Sequence, residues 1–201
     1  MSRSASIERN TKETDIRVTL ELDGTGQAEL DTGIGFFDHM LDGFARHGLF
    51  DLNVYVDGDL DVDCHHTVED TGIVLGNAIK EAVGDKKGIR RYGSCILPMD
   101  EALVLCAVDL SGRCTLNWDV HCKTEKVFSA PMIGELDTET ISEFFYAVSY
   151  SAAMNLHFKV LSGTNSHHIC EAMFKAFAKA LDMAVSVDPR ITDVLSTKGS
   201  L

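Results

Sequence analysis

An α+β fold made of two similar halves, each a mainly antiparallel sheet carrying two helices, is what this sequence of 201 residues predicts. Three observations carry that reading. Apolar residues alternate or recur at three and four in the order strands, helix, strand, helix, and the order occurs twice. The segment His65-His66-x-x-Glu69 reappears as His167-His168-x-x-Glu171, and the same offset of 102 residues sets Ala78 on Ala180, Ala82 on Ala184 and Val83 on Val185. Only two copies fit, so a compact duplicated unit is expected and not a solenoid. The halves should meet near 86–88, giving a first half over 1–86 and a second over 87–201.

Each element has its own signal. Ile16, Val18, Leu20 and Leu22 alternate with Arg17, Thr19 and Glu21, a strand with one apolar face, and Asp23-Gly24 with Gly26 marks the turn after it. Phe37, Met40, Leu41 and Phe44 recur at the helical period over 34–47, with Gly48 as the expected stop. Leu52, Val54 and Val56 alternate up to Asp57-Gly58, and 65–83 reads as a second helix closed by Gly84. In the second half, strands are expected at 91–97, 103–110, 113–120 and 156–161, with helices near 139–154 and over 166–185.

Composition narrows the function. With 45% hydrophobic and 24% charged residues the chain is an ordinary folded protein, and its longest apolar run, residues 102–108, is far too short to cross a bilayer. A net charge of −13 has the wrong sign for nucleic acid or an anionic membrane surface. Six cysteines without a C-x-x-C pair, and strand-like sequence close behind Met1, lead us to expect a reducing cytoplasm and no secretory signal.

The duplicated His-His-x-x-Glu segment carries the chemistry. At a helix start the first His and the Glu, four residues apart, share a face and can grip one ion, while the second His points about 100° away. If the two halves face each other, His66 can complete the site of His167 and Glu171, and His168 that of His65 and Glu69. One such segment would suit an exposed helix start, where Glu favours the dipole; two copies in register favour metal binding. His39 on the first helix and Glu143 on its counterpart stand 26 and 24 residues before their His pairs and are candidate fourth ligands. Imidazole and carboxylate without thiolate suit Mn, Fe, Zn or Ni.

The stretches Asp31-Thr32-Gly33-Ile34-Gly35-Phe36-Phe37-Asp38-His39, His65-His66-Thr67-Val68-Glu69-Asp70, Asp109-Leu110-Ser111-Gly112-Arg113, Ser162-Gly163-x-Asn165-Ser166-His167-His168 and Ser196-Thr197-Lys198-Gly199, in that order, resemble the signatures of imidazoleglycerol-phosphate dehydratases. The resemblance implies a duplicated fold of the ribosomal S5 domain 2-like kind. It implies removal of water from D-erythro-imidazole glycerol phosphate to give imidazole acetol phosphate in histidine biosynthesis. It further implies two Mn2+ ions per active site and a homo-oligomer, typically of 24 subunits, with sites between subunits. It assigns His39, His65, His66, Glu69, Glu143, His167, His168 and Glu171 to metal, and Glu13, a candidate acid/base, to the substrate site along with His39 and His47. Arg91, Arg113, Ser196, Thr197 and Lys198 then fall where the phosphate is held. Two positions depart from the pattern: Glu143 stands where many members carry His, and Cys64 where Asp is common before the first pair. For Glu13 a surface strand end, for His47 a helix-capping role, and for the cations plain solvated surface are the structural alternatives.

The substrate chemistry explains the metal. The carbon that loses its proton is not beside a carbonyl, so the imidazole ring is the only electron sink. A metal on a ring nitrogen would supply Lewis acidity that helps the ring push out the hydroxyl, after which the carbon-bound proton would be lost to give the enol. The rival from another class is a non-catalytic assembly knitted together by structural ions, whose coordination shells would be closed.

Overall fold

The computed structural model describes residues 3–120 and 128–199. The first half runs β1 (Ser4–Asn10), β2 (Thr14–Glu21), β3 (Ala28–Asp31), α1 (Gly35–Gly48), β4 (Asp51–Gly58) and α2 (His65–Val83). The second repeats it as β5 (Tyr92–Met99), β6 (Ala102–Asp109), β7 (Thr115–Asp119), α3 (Thr140–Ala152), β10 (Asn155–Ser162) and α4 (Ser166–Val185), with a small hairpin of β8 (Met132–Ile133) and β9 (Leu136–Asp137) before α3. The two main sheets have the same strand order, β1-β2-β4-β3 and β5-β6-β10-β7. Each is antiparallel except at one edge, where β3 pairs parallel with β4 and β7 with β10.

Alternation decides which face is covered. Ile16, Val18 and Leu20 of β2 and Leu52, Val54 and Val56 of β4 are buried, and Val104, Cys106 and Val108 of β6 with Leu156, Phe158 and Val160 of β10 repeat the pattern. Both buried faces turn to the helices. Helix α2 lies on β1 and β2 and packs against α3, while α4 lies on β5 and β6 and packs against α1, so two sheets enclose one layer of four helices. Phe37 of α1, Phe144 of α3 and Phe174 of α4 join in a chain of ring contacts 5.3 and 5.2 Å apart through that layer. Each such ring contributes about 1.5–3 kcal/mol by leaving water.

Two close approaches need glycine. A Cβ on Gly72 would stand 2.7 Å from the Phe144 carbonyl oxygen, and one on Gly76 would stand 2.7 Å from Ser151 Cβ. Advancing from Gly72 to Gly76 moves the contact from Phe144 to Ser151, so α2 and α3 run in the same direction at this crossing. On β5, a Cβ on Gly93 would collide with the carbonyl of Ala180 in α4.

The structure corrects the sequence reading at several elements. It gave no bounds for β1, an edge strand whose inward apolar residues are Ala5 and Ile7, and it omitted the four-residue strand β3 and the hairpin of β8 and β9. Gly48 is not the stop of α1: the left-handed position is Leu49 (φ 59°), and Gly48 is the last helical residue, against which the Phe50 ring packs. The counterpart of Leu49 is Ala153 (φ 51°), which ends α3 in the same way. Bridges from Lys87 to Val194 and from Ile89 to Val187 tie the segment before Lys198 to the one joining the halves.

Candidate metal centre and anion pocket

Helix starts place the paired histidines. Asn165 caps α4, its side chain accepting from the backbone N–H groups of His167 and His168. Asp63 accepts from the His65 N–H at the start of α2. Helical spacing then brings the first His of each pair to its Glu: His65 Nε2 is 3.3 Å from Glu69 Oε2 and His167 Nε2 is 3.2 Å from Glu171 Oε2.

Across the helix layer, His39 of α1 reaches the second pair, with its Nε2 3.9 Å from Glu171 Oε2. His39, His167 and Glu171 thus offer three ligand atoms all within 4.8 Å of one another, two imidazole nitrogens and a carboxylate oxygen facing one point. That donor set fits a divalent cation. Glu171 is largely buried, and its other oxygen is 2.5 Å from Lys175 Nζ, one helical turn on. Burial pushes the Glu171 carboxyl up, and Lys175 with the two imidazoles more than offsets this, so its pKa lies below the usual range.

Glu143 lies on the first turn of α3. The parallel crossing of α2 and α3 sets the first turn of α3 beside the turn of α2 that holds Glu69, as the pair α1 and α4 does for His39 and Glu171. Among the described residues Glu143 does not close to within 4.8 Å of His65 and Glu69. His157, the other histidine near Glu143 in sequence, is exposed on the sheet face turned away from the helices.

His66 and His168 do not join these groups within the chain, contrary to the expectation of facing halves. His66 Nδ1 is 2.9 Å from Asp59 Oδ2, and His168 Nδ1 is 2.7 Å from Glu101 Oε2. These hydrogen bonds hold both imidazoles above their ordinary range, and that with His168 takes Glu101 down to about 2. Glu13 is exposed in a shallow cleft of about 300 Å³ with Lys12, Thr14 and Asp59, and its charge reaches His66. Beneath it Asp70 is buried, accepting from Thr14 Oγ1 at 2.6 Å and from Arg9 Nη1 at 2.8 Å, which ties the start of β2 to α2.

The expected phosphate residues share one hollow of about 840 Å³, lined by Arg91, Arg113, Ser196, Thr197 and Lys198 among others. Arg91 spans it, donating to both oxygens of Asp109 at 2.7 and 3.2 Å and to the Leu195 carbonyl at 2.8 Å. Arg113 follows the left-handed Gly112. His47 lies elsewhere, on the last turn of α1 beside α4, where Lys179 Nζ donates to its carbonyl. Burial first, then Lys175 and Lys179, lower its pKa.

Sequence reasoning missed Asp59, Glu101 and Lys175. Lys175 was visible as the residue four beyond Glu171. Asp59 sits in an unpatterned loop. Glu101 was hidden until strand register related β2 to β6, which makes it the counterpart of Glu13. The departing Cys64 is buried and accepts a contact from the Asp137 N–H at 3.4 Å, a packing role.

Comparison with known proteins agrees with this architecture. The family described as imidazoleglycerol-phosphate dehydratase matches residues 32–181. A curated imidazoleglycerol-phosphate dehydratase of Lachnoclostridium phytofermentans is 64% identical, and one of Geobacter sulfurreducens 58%, each over the full length of both chains. The crystal structure of the Staphylococcus aureus enzyme superposes with a TM-score of 0.81 at 36% identity, covering 92% of this chain and 99% of that one. That of the Pyrococcus furiosus enzyme in complex with (S)-C348 gives 0.77 at 36%, covering 97% and 100%.

Proposed function

Because this chain belongs to the imidazoleglycerol-phosphate dehydratase family and is thus a hydro-lyase of histidine biosynthesis, we propose that it dehydrates D-erythro-imidazole glycerol phosphate at a site holding two Mn2+ ions. The convergence of His39, His167 and Glu171 from opposite halves carries the reading. One ion is held by these three with His66 of another copy, the other by His65, Glu69 and Glu143 with His168 of another copy. Active sites then form only in a homo-oligomer, for which 24 subunits is the expected size, and the cytoplasm is the expected compartment.

When bound, the ions supply Lewis acidity to the substrate imidazole. The remaining work falls to the chain. Glu13, whose carboxylate makes no hydrogen bond among the described residues, holds or moves the proton at the reacting carbon. Arg113 offers a planar fork to the phosphate oxygens, Lys198 a point charge, and Ser196 and Thr197 hydroxyl donors. Arg91, braced by Asp109, adds a cation while keeping the tail over the hollow. His47 contacts substrate from the end of α1.

Elemental analysis with a turnover assay tests the proposal. The Mn2+-loaded protein should carry two ions per chain and form imidazole acetol phosphate, lose both properties to a chelator, and regain them with Mn2+. An active preparation with one ion or none per chain would refute it.

A further inference from the structure

The second histidine of each pair is held by a carboxylate outside the ligand set, and the two halves arrive at this by different routes. Strand register equates Leu20 with Val108 and Val18 with Cys106, so Glu13 and Glu101, one step before β2 and β6, occupy the same place in their halves. Glu101 uses that place to bond His168 Nδ1, while its other oxygen accepts from the Asn165 N–H at 2.9 Å. Glu13 does not bond His66. The link from β4 to α2 reaches its His pair with two residues more than the link from β10 to α4, and this longer loop carries Asp59, which bonds His66 Nδ1 instead.

A carboxylate accepts and does not donate, so Nδ1 of each ring carries the proton, and in the neutral ring that binds a metal Nε2 is left with its lone pair. Only the exposed Asp100, 3.5 Å from His168 Nε2, approaches either Nε2 among the described ion pairs. The bonds are poor candidates for a purely stabilising role. Exposed ion pairs contribute little, and Asp59 keeps its Oδ1 buried without a hydrogen-bond partner among the described residues, a desolvation cost that such a pair does not offset.

We infer that Asp59 and Glu101 are positioning residues, fixing the tautomer and ring direction of His66 and His168 so that each presents Nε2 outward to an ion held by another copy of the chain. The inference rests on the two-ion reading given above. It also explains why Glu13 is available for substrate: Asp59 has taken over the task that its counterpart Glu101 still performs. The carboxylate of Asp59 serves the ion of His39, His167 and Glu171, and that of Glu101 serves the ion of His65 and Glu69.

Mn2+ titrations of the full-length protein, followed by the electron paramagnetic resonance signal of free Mn2+, test this. Asp59→Ala and Glu101→Ala should each weaken one of the two ions by about 10- to 100-fold, leave the other at parental affinity, and release the assembly into smaller species at limiting Mn2+. Asp59→Asn and Glu101→Gln keep an accepting oxygen and should recover most of the loss, which a merely structural defect would not do. In 15N spectra of the histidine-labelled parent protein, His66 and His168 should carry the proton on Nδ1, a measurement independent of whether the Ala variants fold. Folded Ala variants that bind both ions as tightly as a two-ion parent would overturn this inference alone, as would protonation on Nε2. A parent that takes up no Mn2+ would overturn the two-ion reading and this inference together.

Discussion

Gly72→Ala tests whether the α2–α3 crossing is as tight as the structure makes it. The added Cβ would lie 2.7 Å from the Phe144 carbonyl oxygen and 3.0 Å from Ala147 Cβ, where ordinary contact begins at 3.4 Å. The opposing atom is backbone and cannot rotate aside, so the helices must part by several tenths of an ångström. Overpacking of this kind costs about 1–3 kcal/mol, and the better helix propensity of Ala returns about 0.8–1.0 kcal/mol. A net loss of up to about 2 kcal/mol should lower Tm by up to about 8 °C in a chain of this size. Gly43, in the middle of α1, is the matched control: a Cβ there meets nothing within 4 Å. Gly43→Ala should therefore raise Tm, by about 1–4 °C. Both are read by thermal unfolding at one fixed protein concentration, since assembly shifts apparent stability. If Gly72→Ala raises Tm as Gly43→Ala does, the close crossing that brings Glu69 alongside α3 is not real.

Three further outcomes are expected. Glu143→Ala should lose one of two Mn2+ ions and most turnover while Glu143→His retains both, and Glu143→Ala with two ions and full activity would show Glu143 to be a surface residue. Arg113→Ala and Lys198→Ala should raise KM strongly at unchanged metal content, as loss of phosphate contacts requires; KM equal to the parent's would remove them from the site. Asp51 accepts from the Thr25 and Gln27 N–H groups at 2.8 and 3.0 Å, with the Gln27 bond the larger cause of a pKa below its ordinary 3.8. A depressed carboxyl stabilises the fold above its unfolded value and loses that contribution as pH falls through its folded value. Asp51→Ala should accordingly flatten the acid side of a urea-midpoint profile measured from about pH 5 down to about pH 2, and an unchanged slope would count against the turn.

What the sequence made legible was whatever repeats along the chain. Alternation marked β2, β4, β6 and β10 because each buries one face, and the duplicated His pair marked the helix starts because i, i+4 geometry is local. β3 is too short for a period to register, and β1, at a sheet edge, buries too little to show one. The meeting of His39 with His167 and Glu171 could be guessed only through the duplication, because it depends on how α1 crosses α4. Internal symmetry misled in one respect: it suggested that His66 and His168 would complete each other's sites inside one chain. The loops before α2 and α4 supply Asp59 and an approach to Glu101 instead, and no periodicity announces a hydrogen bond from a loop.

The cluster of His39, His167 and Glu171 takes its residues from opposite halves, α1 and α4, and under the proposed function the second ion would draw on α2 and α3 in the same way. A half by itself therefore never holds a full set, whereas two identical halves docked about a twofold axis would hold two identical sets. Fusing such a pair into one polypeptide releases the constraint of identity, because a codon changed on one side no longer changes its mate. His39 and Glu143 stand at equivalent places in α1 and α3, an imidazole in one half and a carboxylate in the other. The same release separates Glu13 from Glu101. A duplicated chain can tune its two versions of one arrangement independently, which a symmetric dimer of half-length chains cannot.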